Sequence, residues 1–370
     1  MVGFDSTRPV SLYIHIPFCS SKCDYCAFYS RKPQNEEIDK YLDLLLLELE
    51  AVKKEIKVPF YTIFIGGGNP GILGFDRIKK ILESAEEYGR PKEVTIECNP
   101  GNLNEDILSL SGLLDRVSIG IQSMDENVLK TLGRHQTIET NLKALELLKT
   151  LPFRWNADII TAVPGESIET TLSDIRTIAS YNPGHISFYC LTFEENTPLI
   201  QRETPLEDYE ELDFLLKGWE ELKKLGYDHY EVSNFARPGE ECLHNKVYWN
   251  LGQYIGLGPT AESALGWDEM VVMRNTESIE EFFQTHAFNV SSLNKDETEE
   301  SYLLTTLRTN RGINKEEYKE RFNKDFDSVY EERISILDRE SYVNNEKSFI
   351  VTEKGMLTLD SIILTLSMSI

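Results

Sequence analysis

The sequence predicts an α/β fold: a partial barrel of six β/α units, followed by a smaller, mainly helical unit with a winged-helix-like end. Three observations carry this reading. Strand-like and helix-like segments alternate through the first two-thirds of the chain, which implies parallel strands joined by helical crossovers. Six such units rather than eight leave the barrel open. The residues best suited to chemistry fall at the carboxyl ends of the predicted strands, where barrels of this kind carry their sites.

The strands are expected at 12–16, 61–65, 94–97, 117–121, 156–160 and 185–192. Helical patterns lie between them at 36–57, 75–88, 104–114, 126–132 with 137–150, and 168–181. In the first of these Ile38, Leu42, Leu45, Leu46 and Leu49 recur at helical spacing. Ser123 and Glu126 have the form of a capping box opening the helix after the fourth strand. A long helix at 206–225 leads to an aromatic and polar stretch at 227–235, then to His244, Asn245, Tyr248 and Trp249, and on to Gly256, Gly258 and Pro259. Beyond Ser278, which with Glu281 caps a new helix, charges become dense and short helices dominate. Residues 349–355 resemble the strand and turn of a winged module. The chain thus divides into a barrel at 1–235, a connecting segment at 236–280 and a C-terminal unit at 281–370.

The 370 residues carry a formal charge of −24, which disfavours broad binding to phosphate backbones. No apolar run of about 18 residues is present, so no membrane span is expected. The first residues show neither a basic region nor an apolar stretch of a secretory signal, and the expected compartment is the cytoplasm. The six cysteines do not form a disulfide framework. Cys98, Cys190 and Cys242 stand alone and read as buried small residues.

Cys19, Cys23 and Cys26 lie within eight residues, just after the first strand. Three thiolates can hold three irons of an iron–sulfur cluster and leave a fourth iron open to a small molecule. The competing reading is a zinc knuckle completed by His15. A three-armed, thiolate-only site suits a cluster better. Gly66, Gly67 and Gly68 end the second strand and let backbone groups approach a ligand closely. Glu97 and Asp158 are carboxylates at strand positions that call for apolar residues, so each needs a partner. Arg134 is read either as a ligand-binding cation or as a solvated charge at a helix end. His244, with Tyr248 and Trp249, is read first as a satisfied core histidine beside packing rings. The functional alternative is a flat apolar ligand against the rings, with the imidazole as metal ligand.

These residues together resemble the radical S-adenosylmethionine (SAM) superfamily. Within it they resemble the HemN/HemW group, the oxygen-independent coproporphyrinogen dehydrogenases and their haem-chaperone relatives. The likeness is carried by segments spread over most of residues 10–260. It implies a [4Fe–4S] cluster on Cys19, Cys23 and Cys26, with SAM chelating the open iron. By motif, Tyr13, Gly67 and Glu97 are expected at that SAM. Tyr25, Gly68, Asn69, Gln122, Arg134 and Asp158 match positions that hold a second SAM in the dehydrogenase branch. An electron from the cluster is implied to cleave the sulfonium to a deoxyadenosyl radical. Dehydrogenases carry a further cysteine two residues past the trio, and here that position is Phe28. Phe28, the short N-terminal segment and the His244-Asn-x-x-Tyr248-Trp249 pattern resemble the chaperone branch, with coproporphyrinogen oxidation as the alternative. Haem or a porphyrinogen, a haem-acceptor protein and an electron donor such as flavodoxin or ferredoxin are the partners this implies. His244, Tyr248 and Trp249 are the haem candidates. Departures from the pattern include Thr260, which stands for a glycine, Glu262 for a histidine, Ala162 for a glycine and Asn69 for a threonine.

Overall fold

The computed structural model describes residues 2–34, 36–285 and 288–367. Six parallel strands follow one another in space as in sequence: β1 (Val10–Ile16), β2 (Thr62–Gly67), β3 (Glu93–Cys98), β4 (Arg116–Gln122), β5 (Arg154–Thr161) and β6 (His185–Cys190). Helices α1 (Glu37–Glu55), α2 (Phe75–Ala85), α3 (Glu126–Thr131), α4 (Ile138–Leu148), α5 (Ile168–Ser180) and α6 (Asp208–Lys224) cover their outer face. The strands are buried on both sides, which is why their apolar residues run without strict alternation. Val10, Leu12, Ile14 and Ile16 on β1, with Ile63, Ile65, Val94 and Ile96 beside them, pack on Leu42, Leu45 and Leu49 of α1 in one continuous core.

The sheet extends beyond the six predicted strands on both sides. Past β6 lie β7 (Asp228–Glu231) and β8 (Asn234–Ala236), with β8 antiparallel to β6. On the other edge β9 (Gln253–Leu257) pairs parallel to β1, followed by antiparallel β10 (Glu262–Gly266), β11 (Met270–Arg274) and β12 (Asn289–Leu293). Between the two edges, α7 (Leu243–Trp249) packs against β2 and β9.

Two local expectations are corrected. Residues 104–114 form a 3₁₀ turn at Glu105–Leu110, not an α-helix. Ile107 and Leu110, its buried residues, are three apart, a spacing that a three-residue turn stacks directly. The capping box at Ser123 and Glu126 does not form. Asp125 caps α3, accepting from the backbone N–H groups of Asn127 and Val128, while Ser123 Oγ donates to Asp174. The later cap is as expected, with Ser278 accepting from Glu281 N–H at the start of α8 (Ile279–Phe282).

The C-terminal part carries its own apolar cluster, including Tyr302, Tyr318, Phe326, Tyr330 and Phe349. Helices α9 (Lys295–Thr306), α10 (Lys315–Phe322), α11 (Phe326–Ile336), α12 (Glu353–Met356) and α13 (Leu359–Ser367) surround a small antiparallel sheet. Its strands are β13 (Ile313–Asn314), β14 (Tyr342–Asn344) and β15 (Ser348–Val351), the wing read from the sequence. Among the described residues no helix is long and apolar enough to cross a membrane.

Candidate functional site

The cysteine loop leaves β1 at Ile16 and is pinned at both ends by backbone hydrogen bonds. Cys19 N–H donates to Arg31 C=O at 3.0 Å, and Arg31 N–H returns to Pro17 C=O at 3.0 Å. On its far side Asp24 N–H donates to Leu132 C=O at 3.1 Å, Leu199 N–H donates to Asp24 C=O at 2.9 Å, and the Asp24 carboxylate meets Arg202 at 2.7 Å. The loop is therefore held across the carboxyl ends of the strands.

There it faces a cavity of about 160 Å³. Cys19, Cys23, Cys26, Tyr25, Gly67, Gly68, Asn69, Glu97, Gln122, Arg134 and Asp158 all line it, so one rim gathers every predicted cluster and SAM residue except Tyr13. Tyr13 lies one layer deeper, its hydroxyl 3.0 Å from His15 Nδ1 and its ring against Phe64. Two glycines are required at this rim. Gly67 has φ 103°, and a Cβ on Gly68 would stand 2.5 Å from the Phe18 carbonyl oxygen. Gly67 N–H donates to Glu97 Oε2 at 3.2 Å. Burial, then the charge of Asp158, raises the Glu97 carboxyl to about 8. Burial raises Asp158 as well, against hydrogen bonds from Ser187 and Asn156. Asn69 is already committed: Nδ2 donates to Asn102 Oδ1 at 2.7 Å, and Oδ1 accepts from Asn99 N–H at 3.1 Å.

Arg134 is no solvated helix-end charge. Its guanidinium reaches back to Gly120 C=O at 2.6 Å and to Cys23 Sγ at 3.3 Å. Two buried polar atoms of this cavity, Arg134 Nε and Gln122 Oε1, have no hydrogen-bond partner among the described residues. Gln122 also holds the left-handed φ of 68°, a conformation that costs energy in a non-glycine residue and gathers at ligand sites. A polar ligand would satisfy these groups.

The trio suits a cluster better than a zinc knuckle. His15, the proposed fourth ligand, has Nε2 at 3.0 Å from Tyr29 C=O as well as Nδ1 on Tyr13, so both ring nitrogens are engaged away from the thiols. Burial raises the Cys19 and Cys26 thiols, as it does those of Cys98, Cys190 and Cys242, so the geometry of the trio and not this shift marks the ligands. Cys98, Cys190 and Cys242 donate instead to Asn99 C=O, Glu211 C=O and Glu93 Oε1, the ordinary contacts of buried thiols.

The sequence matches the Radical SAM superfamily over residues 13–178 and the HemN C-terminal domain over 293–358. The haem chaperone HemW of Buchnera aphidicola subsp. Schizaphis graminum is 33% identical, the match covering 96% of this chain and 97% of that protein. The chain belongs to the HemW family. HemW of Escherichia coli is 36% identical over 73% of this chain and 74% of its own length. Among solved structures, E. coli coproporphyrinogen III oxidase (HemN) superposes with a TM-score of 0.83 at 22% identity, covering 97% of this chain and 90% of that one, which shows the same fold. As a radical SAM family member the chain uses a [4Fe–4S] cluster and SAM.

Two of the departures from the family pattern have a definite place in the structure. Ala162, where a glycine is usual, has the left-handed φ of 59° that favours glycine. Glu262 sits on β10 opposite Arg274 of β11 and is bonded to it, with Nε to Oε1 at 2.6 Å, so it is a cross-strand ion pair and lines neither cavity described here. Phe28 is 70% exposed and stands at the mouth of the cluster cavity.

That cavity adjoins a larger one of about 460 Å³ inside the barrel, sharing Tyr25, Cys26, Phe28, Glu97, Asp158 and Tyr189. Its floor was missed in the sequence reading. Arg116, Asn156 and Asn245 line it, and the signal available was polar residues at alternate positions of strands buried on both faces. Helix α7 closes this end. Glu93 accepts from Leu243 N–H at 2.9 Å and His244 N–H at 3.3 Å, and its other oxygen takes Arg154 at 2.9 Å. His244 is 1% exposed, with Nδ1 at 2.7 Å from Thr62 Oγ1 and Nε2 at 2.9 Å from the Tyr248 hydroxyl. Burial holds its imidazole down to about 3. Trp249 lies on the other side of α7, toward Tyr230 and Arg311.

Proposed function

We propose that the chain binds haem and delivers it to an acceptor protein, using a [4Fe–4S] cluster and SAM. The observation that carries this is the near full-length likeness to proteins named as haem chaperones. Phe28 supports the same branch, because a phenylalanine cannot supply the thiol that decarboxylating relatives place there.

Cys19, Cys23 and Cys26 would hold the cluster, which supplies one-electron cleavage of the SAM sulfonium when reduced. Gly67 and Glu97, with Tyr13 behind them, suit the SAM at the open iron. Glu97 offers an acceptor to an ammonium group, while the glycines admit the ligand to the backbone. Tyr25, Gly68, Gln122, Arg134 and Asp158 suit a second polar ligand, with Asn69 positioning the loop through its two amide bonds. For haem, Tyr248 is kept as a candidate wall, whereas Trp249 faces the other side of α7, away from the barrel cavity. His244 as axial ligand requires the Tyr248 hydroxyl or Thr62 to release a ring nitrogen. A flavodoxin or ferredoxin is the proposed electron donor. We keep the three-part division at 235 and 280 as the working domain scheme, with the apolar cluster from Tyr302 onward marking the third part and β9 to β12 joining the barrel's sheet.

One observation favours the second reading, decarboxylation of coproporphyrinogen: the larger cavity opens directly beside the cysteine loop. Anaerobic reconstitution followed by parallel haem titration and product analysis separates the two. Haem binding without vinyl product is expected. Robust vinyl product would overturn the chaperone reading.

A further inference from the structure

Arg116 is 3% exposed and lines the barrel cavity, yet its guanidinium makes no hydrogen bond or ion pair among the described residues. It feels the carboxylates of Glu93 and Asp158 only through longer-range attraction. The nearby carboxylates are already taken: Glu93 by the start of α7 and by Arg154, Asp158 by Asn156 Nδ2 at 2.6 Å. Asn156 is saturated too, with Ser118 Oγ at 2.7 Å and His185 Nδ1 at 2.5 Å. A buried, unpaired guanidinium is costly, and its five donors in a rigid fork match a carboxylate.

We propose that Arg116, with Asn245 of α7 beside it, anchors a carboxylate of the ligand held in the barrel. Arg116 begins β4 and Gln122 ends it, so the anchor side chain enters the cavity from the end of the strand opposite the cluster loop. Between them Phe64, Ile160, Tyr189 and Leu191 give the cavity apolar walls. The site therefore takes an amphipathic molecule, acid end deep and apolar body toward Phe28. Resting on the haem reading, that acid is a haem propionate, and α7 contributes Asn245 to the ligand while His244 secures the helix.

The test titrates cluster-loaded protein, kept anaerobic, with haem and with haem dimethyl ester, whose propionates are blocked. Wild type is expected to prefer haem by tenfold or more, the range of a charged hydrogen bond. Arg116→Gln should erase that preference while leaving cluster absorption and diester affinity in place. Asn245→Asp, which sets a competing carboxylate on the same wall, should erase it as well and decides the matter if Arg116→Gln does not load a cluster. Equal affinities in wild type, or a preference that survives both substitutions, would overturn the anchor while haem binding stands. Wild type that binds neither compound would overturn the haem reading and the anchor with it.

Discussion

Arg134 donates from Nη1 to Cys23 Sγ at 3.3 Å, and through Nη2 it grips the Gly120 carbonyl at 2.6 Å. One side chain from the turn after α3 thus links a predicted cluster ligand to the strand that carries Gln122. A hydrogen bond and a positive charge beside a thiolate stabilise the reduced, more negative cluster. Arg134→Gln should lower the reduction potential and weaken SAM binding, and Arg134→Lys should restore part of the potential only. Potentiometric titration of the reconstituted protein measures this; an unchanged potential in Arg134→Gln would remove the linking role.

Cys19→Ala, Cys23→Ala and Cys26→Ala should each abolish the oxygen-sensitive iron–sulfur absorption while leaving the barrel folded. The other three cysteines donate to backbone or to Glu93, and Cys98, pushed up to about 12 by burial, is inert as a thiolate. Their alanine variants should keep full iron and sulfide content, at a stability cost of about 1 kcal/mol each. Iron and sulfide analysis with circular dichroism checks both halves. Equal loss of iron in Cys98→Ala would refute the three-thiolate assignment.

Glu97 is buried with its carboxyl raised to about 8, chiefly by desolvation and next by Asp158. The folded, cofactor-free chain therefore holds a proton that the unfolded chain releases near the usual carboxylate value. Stability from this group is complete below about pH 4.5 and is lost as pH rises through 8. Glu97→Gln should make the cofactor-free protein more stable at pH 8, by on the order of a few kcal/mol, with the gain fading toward pH 4.5. The same substitution should weaken SAM binding, because a neutral amide replaces the acceptor for its ammonium. Denaturant unfolding at several pH values reads the first effect and equilibrium dialysis the second.

His244 shows the opposite dependence. Burial depresses its imidazole to about 3, so the folded state keeps it neutral while the unfolded chain takes up a proton below about 6.5. Its contribution is intact above that pH and is lost as pH falls toward 3. His244→Gln should flatten the acid limb of the stability curve. Haem titration of His244→Ala beside His229→Ala asks the functional question separately. A Soret band unchanged by His244→Ala assigns His244 to holding α7 through Thr62 and Tyr248, and a shifted band keeps it as axial ligand.

Much of this was legible before any coordinates. The parallel strands were recognisable because a strand buried on both faces is an apolar run bounded by turns, and Cys19, Gly67, Glu97 and Gln122 mark their carboxyl ends. The bland reading of Arg134 failed because nothing local shows that the turn after α3 folds back onto the strands. Strands β9 to β12 were missed because each is only five residues long, β9 is interrupted by Gly256, and the pairing of β9 to β1 is a long-range fact. Arg116 was lost by starting the fourth strand one residue late, at Val117. One inward position further, the polar alternation of Arg116, Ser118, Gly120 and Gln122 is plain.

Electron paramagnetic resonance of the reduced, reconstituted protein with and without SAM tests the open iron most directly. Three thiolates that leave one iron to SAM predict a [4Fe–4S] signal whose g-values shift on adding SAM, and a shift absent from Glu97→Gln at the same concentration. A signal indifferent to SAM, or a preparation that takes up one zinc ion on the trio in place of iron and sulfide, would contradict it.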